Sequence, residues 1–490
     1  MKKVLYPGMI PFLLFLLVST AALCANPKIP ETPLLQSDTP FGPDDLYQVA
    51  LRNNPDHQKA IANAELSAIA KRSAWGTLLP SLNVGYQISQ NEYYQPTYSN
   101  PDGSVSSYPY TQSIPMPVVL TDTATGYQYY GWNPDSLIEV SYPIPEGKSR
   151  SSSAWLSLQE TIRLGGQQLF TIKNAGVTSR VNDLTVRASE NDLHYAVRQN
   201  YYSVLANQRL LDLAKRILEQ RQEQLRLAKA RYEIGSVTEL DVMQAEIDVG
   251  NQENAIVAAE NNLKLAHEEL NGTLGVDLDS QYPLGDDYSI FEPPYNIEEL
   301  VRNANLARPD YLAALEQEKY QKNLTQMRRG EFLPDLTASL SHSRSQNSGG
   351  NVDFTLNPRN RNTSASLSLS WNLFAGFADQ AQYEQSRVDL RNSRFDAKKQ
   401  EQMIEKEVRR AYYTLMQTYE QSRVTEKNRE LASRQLELER ERYRLGATSQ
   451  LNLRVAQVTY EQAEGDHIAK VFSFWSSLAA LERAVGQKLQ

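Results

Sequence analysis

Five histidines and a single cysteine are the scarce reactive side chains of this chain, and neither type is spaced for catalysis. His57, His194, His267, His342 and His467 are scattered, and His267-Glu268-Glu269 lacks the second histidine that would complete a zinc-hydrolase helix. No nucleotide-binding glycine loop, nucleophile elbow or calcium loop occurs. Asp and Glu total 58, but they fall on long charged stretches, where they read as a solvated face. The expectation is therefore no enzyme, no metal and no cofactor. Net charge is −8 and no Lys/Arg cluster is large enough to line a groove, which argues against nucleic acid.

The chemistry that does recur belongs to the backbone. Arg231-Tyr232-x-x-Gly235-x-x-Thr238-x-Leu240 returns as Arg442-Tyr443-x-x-Gly446-x-x-Ser449-x-Leu451, an offset of 211 residues. Glycine there supplies a left-handed helix cap, and the hydroxyl three residues on supplies the N-cap of the next helix. Thr238 with Asp241 reads as a capping box, and Ser449 with Asn452 is its counterpart. The same offset carries Gly165 to Gly376, Tyr201-Tyr202 to Tyr412-Tyr413 and Gly275 to Gly486. Upstream, an offset of 254 pairs Pro55-Asp56 with Pro309-Asp310 and Leu79-Pro80 with Leu333-Pro334. The chain thus contains one long unit twice, and the first copy holds an insertion of 43 residues between Pro80 and Gly165.

The elements around those turns follow from periodicity. Lys2-Lys3, an apolar run from Met9 to Leu23 and small residues at 22–25 predict a signal peptide over 1–24. Cleavage falls after Cys24 or Ala25; Leu23 disfavours Cys24 as a lipid-attachment site. A proline-rich leader, 25–44, precedes the first repeat, 45–275. A linker over 276–295, the second repeat over 296–486 and a tail at 487–490 complete the order. Helical pattern runs from Asp45 to Thr77, and charged helices of about seventy residues follow Gly165 and Gly376. Val197, Val204, Leu211, Leu218, Leu225 and Tyr232 recur at sevens, as in a coiled-coil seam. Each long helix meets a tight turn, at 235–238 and 446–449, and a second helix.

Four segments alternate with period two: Leu82, Val84, Tyr86; Leu156, Leu158; Leu336, Leu340; and Leu367, Leu369, Trp371. Each is about ten residues, long enough to cross a bilayer at barrel tilt, with small polar residues on the other face. These apolar residues are expected to face lipid. Every backbone group in lipid must be paired, so an open four-stranded sheet cannot persist there and the chain must oligomerise. The helices are too charged for the bilayer and project to one side. The insertion, a loop over 91–151, holds nine of the 27 tyrosines and reads as a surface loop with interface-belt aromatics, or more sharply as a lid.

From about Asp45 to Gly486 the chain resembles the TolC-type outer-membrane efflux proteins. The resemblance rests on the Leu-Pro-x-Leu junctions at 79–82 and 333–336, Leu373-Phe374-Ala375-Gly376 and both Arg-Tyr-x-x-Gly turns. It implies a mainly helical chain in a homotrimer, with four strands from each protomer forming a shared 12-stranded β-barrel in outer-membrane lipid of a Gram-negative bacterium. A coiled-coil-like helical barrel extends into the periplasm and docks an adaptor (membrane fusion) protein of an inner-membrane transporter. By resemblance, Arg231, Tyr232, Gly235, Thr238, Leu240, Arg442, Tyr443, Gly446, Ser449 and Leu451 form the periplasmic tip that meets the adaptor. The family narrows its tunnel with acidic residues on the second copy's tip; here Asn452 and Val455 are uncharged, leaving Asp241 as the carboxylate candidate. The resulting expectation is a passive exit duct for efflux or type I secretion. A soluble periplasmic coiled-coil scaffold and a porin-like diffusion channel are the alternatives, and the cargo stays open.

Overall fold

The computed structural model describes residues 40–93, 97–107, 110–142, 147–285, 289–348, 360–445 and 447–489. The expected signal peptide, Cys24, most of the leader and Gly446 lie outside these residues. The chain divides into two compact units, one mainly helical and one built around the strands.

The helical unit comprises the residues up to Lys71, Lys173–Thr325 and Glu384 onward. Copy one contributes α1 (Pro43–Asn53), α2 (Pro55–Gly76), α3 (Gln167–Glu233) and α4 (Glu239–Leu274). Copy two contributes α5 (Ile297–Ala307), α6 (Pro309–Gly330), α7 (Ala378–Arg444) and α8 (Gln450–Val485). The helical pattern at 45–77 is two helices, because Asn54 precedes Pro55 and sits at ψ 120°. A residue before proline is pushed out of the helical region, and proline then serves as a first helical residue. Arg308 before Pro309 repeats the break at ψ 117°.

Two buried clusters form the core, each drawn mainly from one copy, with Ala479 of copy two joining the first and Trp475 packing against both. Leu46, Ala50, Leu193, Val197, Val204, Leu270 and Leu274 are buried in the first. Leu300, Ala304, Ile404, Val408, Leu415, Leu481 and Val485 are their counterparts at the repeat offsets, buried in the second. The heptad seam is graded: Val197 and Val204 are fully buried, Leu218 and Leu225 half-buried, and Tyr232 is 47% exposed. The seam therefore opens toward the turn.

The strand unit comprises Arg72–Ile172 and Gln326–Tyr383. β1 (Ser81–Tyr93), β6 (Gly147–Arg163), β7 (Asp335–Ser348) and β8 (Arg361–Ser370) form one antiparallel sheet in the order β1-β6-β7-β8. Leu82 lies opposite Leu158 and Val84 opposite Leu156, while Leu158 also meets Leu340, Leu336 meets Leu369, and Leu367 meets Ala338. Register thus gathers the alternating apolar residues on one face. Ser339–Ser366 and Ser341–Ser364 hydroxyl contacts, both 2.7 Å, mark the other. Trp371 falls one residue past β8, and its indole N–H donates to the Phe332 carbonyl at 3.1 Å.

Strands run through the expected loop. β1 runs to Tyr93 and β6 starts at Gly147, and between them lie β2 (Thr97–Ser99) with β3 (Val105–Ser107), and β4 (Tyr110–Thr121) with β5 (Gln128–Tyr142). Alternation was hidden there because Tyr130 and Trp132 stand exposed on one face and Met116, Leu120 and Tyr129 on the other, so no polar face signals the period. Trp155, the exception to alternation in β6, lies over Gly85: a Cβ built on Gly85 would come within 2.1 Å of the indole. No helix among the described residues is long and apolar enough to cross a membrane.

Candidate functional site at the helix turns

The turn between α3 and α4 is closed by its backbone. Gly235 adopts φ 72°, its N–H donates to the Tyr232 carbonyl at 2.9 Å, and the Ser236 N–H reaches the Arg231 carbonyl at 2.8 Å. That is the two-bond pattern which ends a helix at a left-handed residue. In copy two the Ala447 N–H reaches the Arg442 carbonyl at 2.7 Å, the equivalent bond.

The next helix starts on a hydroxyl in each copy. The Asp241 carboxylate accepts from the Thr238 N–H at 2.9 Å and from its hydroxyl at 2.8 Å, completing a capping box. The Thr238 backbone donor, then its hydroxyl, hold the Asp241 carboxyl below the usual carboxylate range. In copy two the Ser449 hydroxyl accepts from the Asn452 N–H at 3.3 Å, and the Asn452 side chain donates to the Thr448 hydroxyl at 3.1 Å. Among the constriction candidates, Asp241 and Asn452 are therefore engaged in capping, whereas Val455 is 54% exposed.

Ile234, Leu240, Leu445 and Leu451 are all more than two-thirds exposed, so each turn presents apolar side chains to solvent. Exposed apolar surface of this kind is suited to contact with a partner.

A second layer of contacts joins the two copies, and sequence reasoning missed it. The Arg231 guanidinium bonds the Tyr443 hydroxyl and stands 5.1 Å from the centre of that ring. Arg221 grips both oxygens of Glu461 at 2.8 Å and reaches Gln457 at 3.2 Å. Arg454 meets Asp248 at 2.7 Å. Burial pushes the Glu461 carboxyl up, against the opposing pull of Arg221. The Arg-Tyr repeat was a visible signal for the first contact. The others use residues whose types are not repeated in the other copy, so the repeat carried no trace of them.

The fold recurs in known proteins. The chain superposes on the outer membrane channel CmeC of Campylobacter jejuni with a TM-score of 0.70 at 17% identity, covering 91% of this chain and 85% of that one. The outer membrane protein VceC of Vibrio cholerae gives 0.68 at 16% identity, covering 91% and 97%. The MtrE outer membrane channel of Neisseria gonorrhoeae gives 0.68 at 17%, covering 91% and 89%. Fusaric acid resistance protein FusA of Burkholderia cepacia is 27% identical over 142 residues, 29% of this chain and 27% of that protein's length. Residues 46–276 and 300–487 match the family described as Outer membrane efflux protein, so both copies are included and the chain belongs to that family of outer-membrane channels.

Proposed function

We propose that this channel is the passive exit duct of a tripartite export assembly, and that its helix turns dock a periplasmic adaptor fed by an inner-membrane transporter. The observation that carries the reading is the exposure of Ile234, Leu240, Leu445 and Leu451 beside helix starts capped by Thr238 and Ser449. Burial of a leucine-sized side chain contributes about 1.5–3 kcal/mol, so four of them make a usable docking edge. Arg231, Tyr232, Gly235, Thr238, Arg442, Tyr443, Gly446 and Ser449 set the shape of that edge, while Asp241, Asn452 and Val455 line the narrow end of the duct. Energy comes from the partner, since the chain carries no nucleotide-binding motif.

Ile234→Asp with Leu451→Asp should abolish co-purification of the adaptor while leaving the trimer intact in the outer membrane. Full adaptor recovery by the double variant would end the docking assignment. The likeness to a fusaric acid resistance protein favours a small organic acid or a similar toxicant over protein cargo. Deletion of the gene should then lower resistance to such compounds and leave protein secretion unchanged; the reverse pattern would reassign the cargo.

A further inference from the structure

The sheet leaves β1 and β8 as open edges, and in lipid both must be paired. The internal duplication specifies the pairing residue by residue, using contacts the chain already makes. Within each copy the strand register is the same: Ser81 opposite Gln159 in copy one becomes Asp335 opposite Ser370 in copy two, at offsets of 254 and 211. The seam between copies, β6 against β7, occurs once in the chain. Its equivalent is β8 of one protomer against β1 of the next.

We propose that the seam between protomers reproduces the β6–β7 register, placing Leu369 opposite Tyr86, Leu367 opposite Ile88 and Phe374 opposite Ser81 of the next protomer. This inference rests on the shared barrel and adds its register.

Three observations support it. First, Leu158 faces Leu340 inside the chain. The same offsets bring Leu369 to Tyr86 and Leu367 to Ile88, so the apolar face continues across the seam without a slip. A register error of one residue would turn every side chain of β1 to the wrong face.

Second, β6 and β8 differ in length in a way the missing partner explains. β6 continues through Glu160–Arg163, beyond the end of β1 at Ser81, because those residues pair with β7. Their counterparts Trp371–Phe374 have no strand partner among the described residues, and β8 stops at Ser370. Ser81–Val84 of the next protomer supply that partner and extend β8 to Phe374.

Third, the seam inside the chain is closed by two glycines in backbone contact. A Cβ built on Gly165 would meet the Gly330 carbonyl oxygen at 2.1 Å, and one on Gly330 would meet that of Gly165 at 2.3 Å. Their counterparts are Gly376 and Gly76. Among the described residues nothing lies within 4 Å of a Cβ built on either. A helical glycine costs stability relative to alanine, so its presence at the end of α2 with empty space around it calls for a close approach from elsewhere. Gly376 of the neighbouring protomer is that approach, and the Leu164 N–H bond to the Pro334 carbonyl, 3.3 Å, is repeated there from Ala375 to Pro80.

Cysteine cross-linking tests the register, because Cys24 is the only cysteine in the sequence. The full-length chain with Cys24→Ser and either Leu369→Cys with Tyr86→Cys or Ser368→Cys with Gln87→Cys is oxidised in outer membranes. At least one of these adjacent pairs occupies the closer, non-hydrogen-bonded position. Covalent trimers should exceed those of the offset pair Leu369→Cys with Val84→Cys about tenfold, since offset positions lie beyond disulfide reach. Stronger cross-linking of the offset pair, or an intact trimer that neither in-register pair links, overturns the register alone. Monomers in the native membrane would overturn the shared barrel on which it rests. A second variant, Gly76→Leu, meets only open space in the protomer and should give a folded helical chain with lost trimer; unchanged trimer yield would remove the glycine contact.

Discussion

The helical hairpins of the two copies share a backbone and differ in chemistry. Both long helices have 67 residues and both partners have 36, and each short helix starts on a hydroxyl and ends on a left-handed glycine. Yet Arg221 corresponds to Ala432, Glu461 to Gly250, Asp248 to Thr459, Arg454 to Met243 and Asp241 to Asn452. The glycines and hydroxyls that set the backbone are kept, and so are the types of the Arg231–Tyr443 contact, whereas the residues of the other two bridges and the capping carboxylate change. The reason is geometric. A cap acts within its own copy and meets the same demand twice, while a bridge inside one chain and the corresponding bridge between protomers are separate contacts, free to differ.

Among the bridges near the turns, the largest effect should come from the one with the least solvent. The Arg221 and Glu461 side chains are 9% and 17% exposed. Arg221→Ala strands a carboxylate in that setting, and about 3 kcal/mol of local stability should be lost. Hydrogen exchange in α3 and α8 around these residues reads it, and Arg221→Ala with Glu461→Gln should recover much of the loss. Protection as strong as wild type in the single variant would show that the fork does not hold the hairpins together. Substitution of Ala432, the equivalent position, by glycine should leave α3 around Arg221 unaffected.

Next in size are the caps, where the copies should respond alike. Thr238→Ala and Ser449→Ala each remove the hydroxyl that accepts from the first turn, at a cost of about 1 kcal/mol. Exchange should accelerate at the start of α4 in one variant and of α8 in the other, by similar factors. A large effect in only one copy would show that the second turn is held by something other than its cap.

What was legible in the sequence follows the same division. Gly235, Thr238 and Ser449 announce themselves because capping is local and demands particular residue types. The strands were legible where one face is polar, as in Leu367 and Leu369 against serines, and hidden at β4 and β5, where both faces carry large apolar side chains. The break at Asn54 was signalled by Pro55, although the apolar spacing continued through it. Arg221 with Glu461 and Arg454 with Asp248 were not legible, since 240 and 206 residues separate the partners and nothing local marks them.

A smaller change belongs to Arg454, which is 43% exposed where it meets Asp248. An ion pair open to solvent on one side contributes about 0.5 kcal/mol. Arg454→Ala should therefore leave the trimer and the fold unchanged and speed exchange only in the turns near α4 and α8. A double-mutant cycle with Asp248→Ala isolates the pair. Coupling as large as that of Arg221 with Glu461 would contradict the ranking by burial.

The finest test separates the two turns by pH. Thr238 holds the Asp241 carboxyl below its usual range. A group with a depressed native pKa stabilises the folded form above its unfolded value, about 3.9, and that contribution disappears as pH falls through the lower native value. The first turn of α4 should thus stay protected from neutral pH down to about 4 and fray below it. Asn452 does not titrate, so the first turn of α8 should show no such step. Glu461 carries the opposite sign: burial raises its pKa, and protonation of that one group favours the folded form on acidification. Hydrogen exchange at the two turns between pH 7 and 3, corrected for intrinsic rates, distinguishes them, and Asp241→Asn should erase the step at α4. Equal pH responses at both turns would show that the carboxylate contributes nothing beyond what the hydroxyl cap already supplies, and the chemical difference between the copies would then have no consequence at this position.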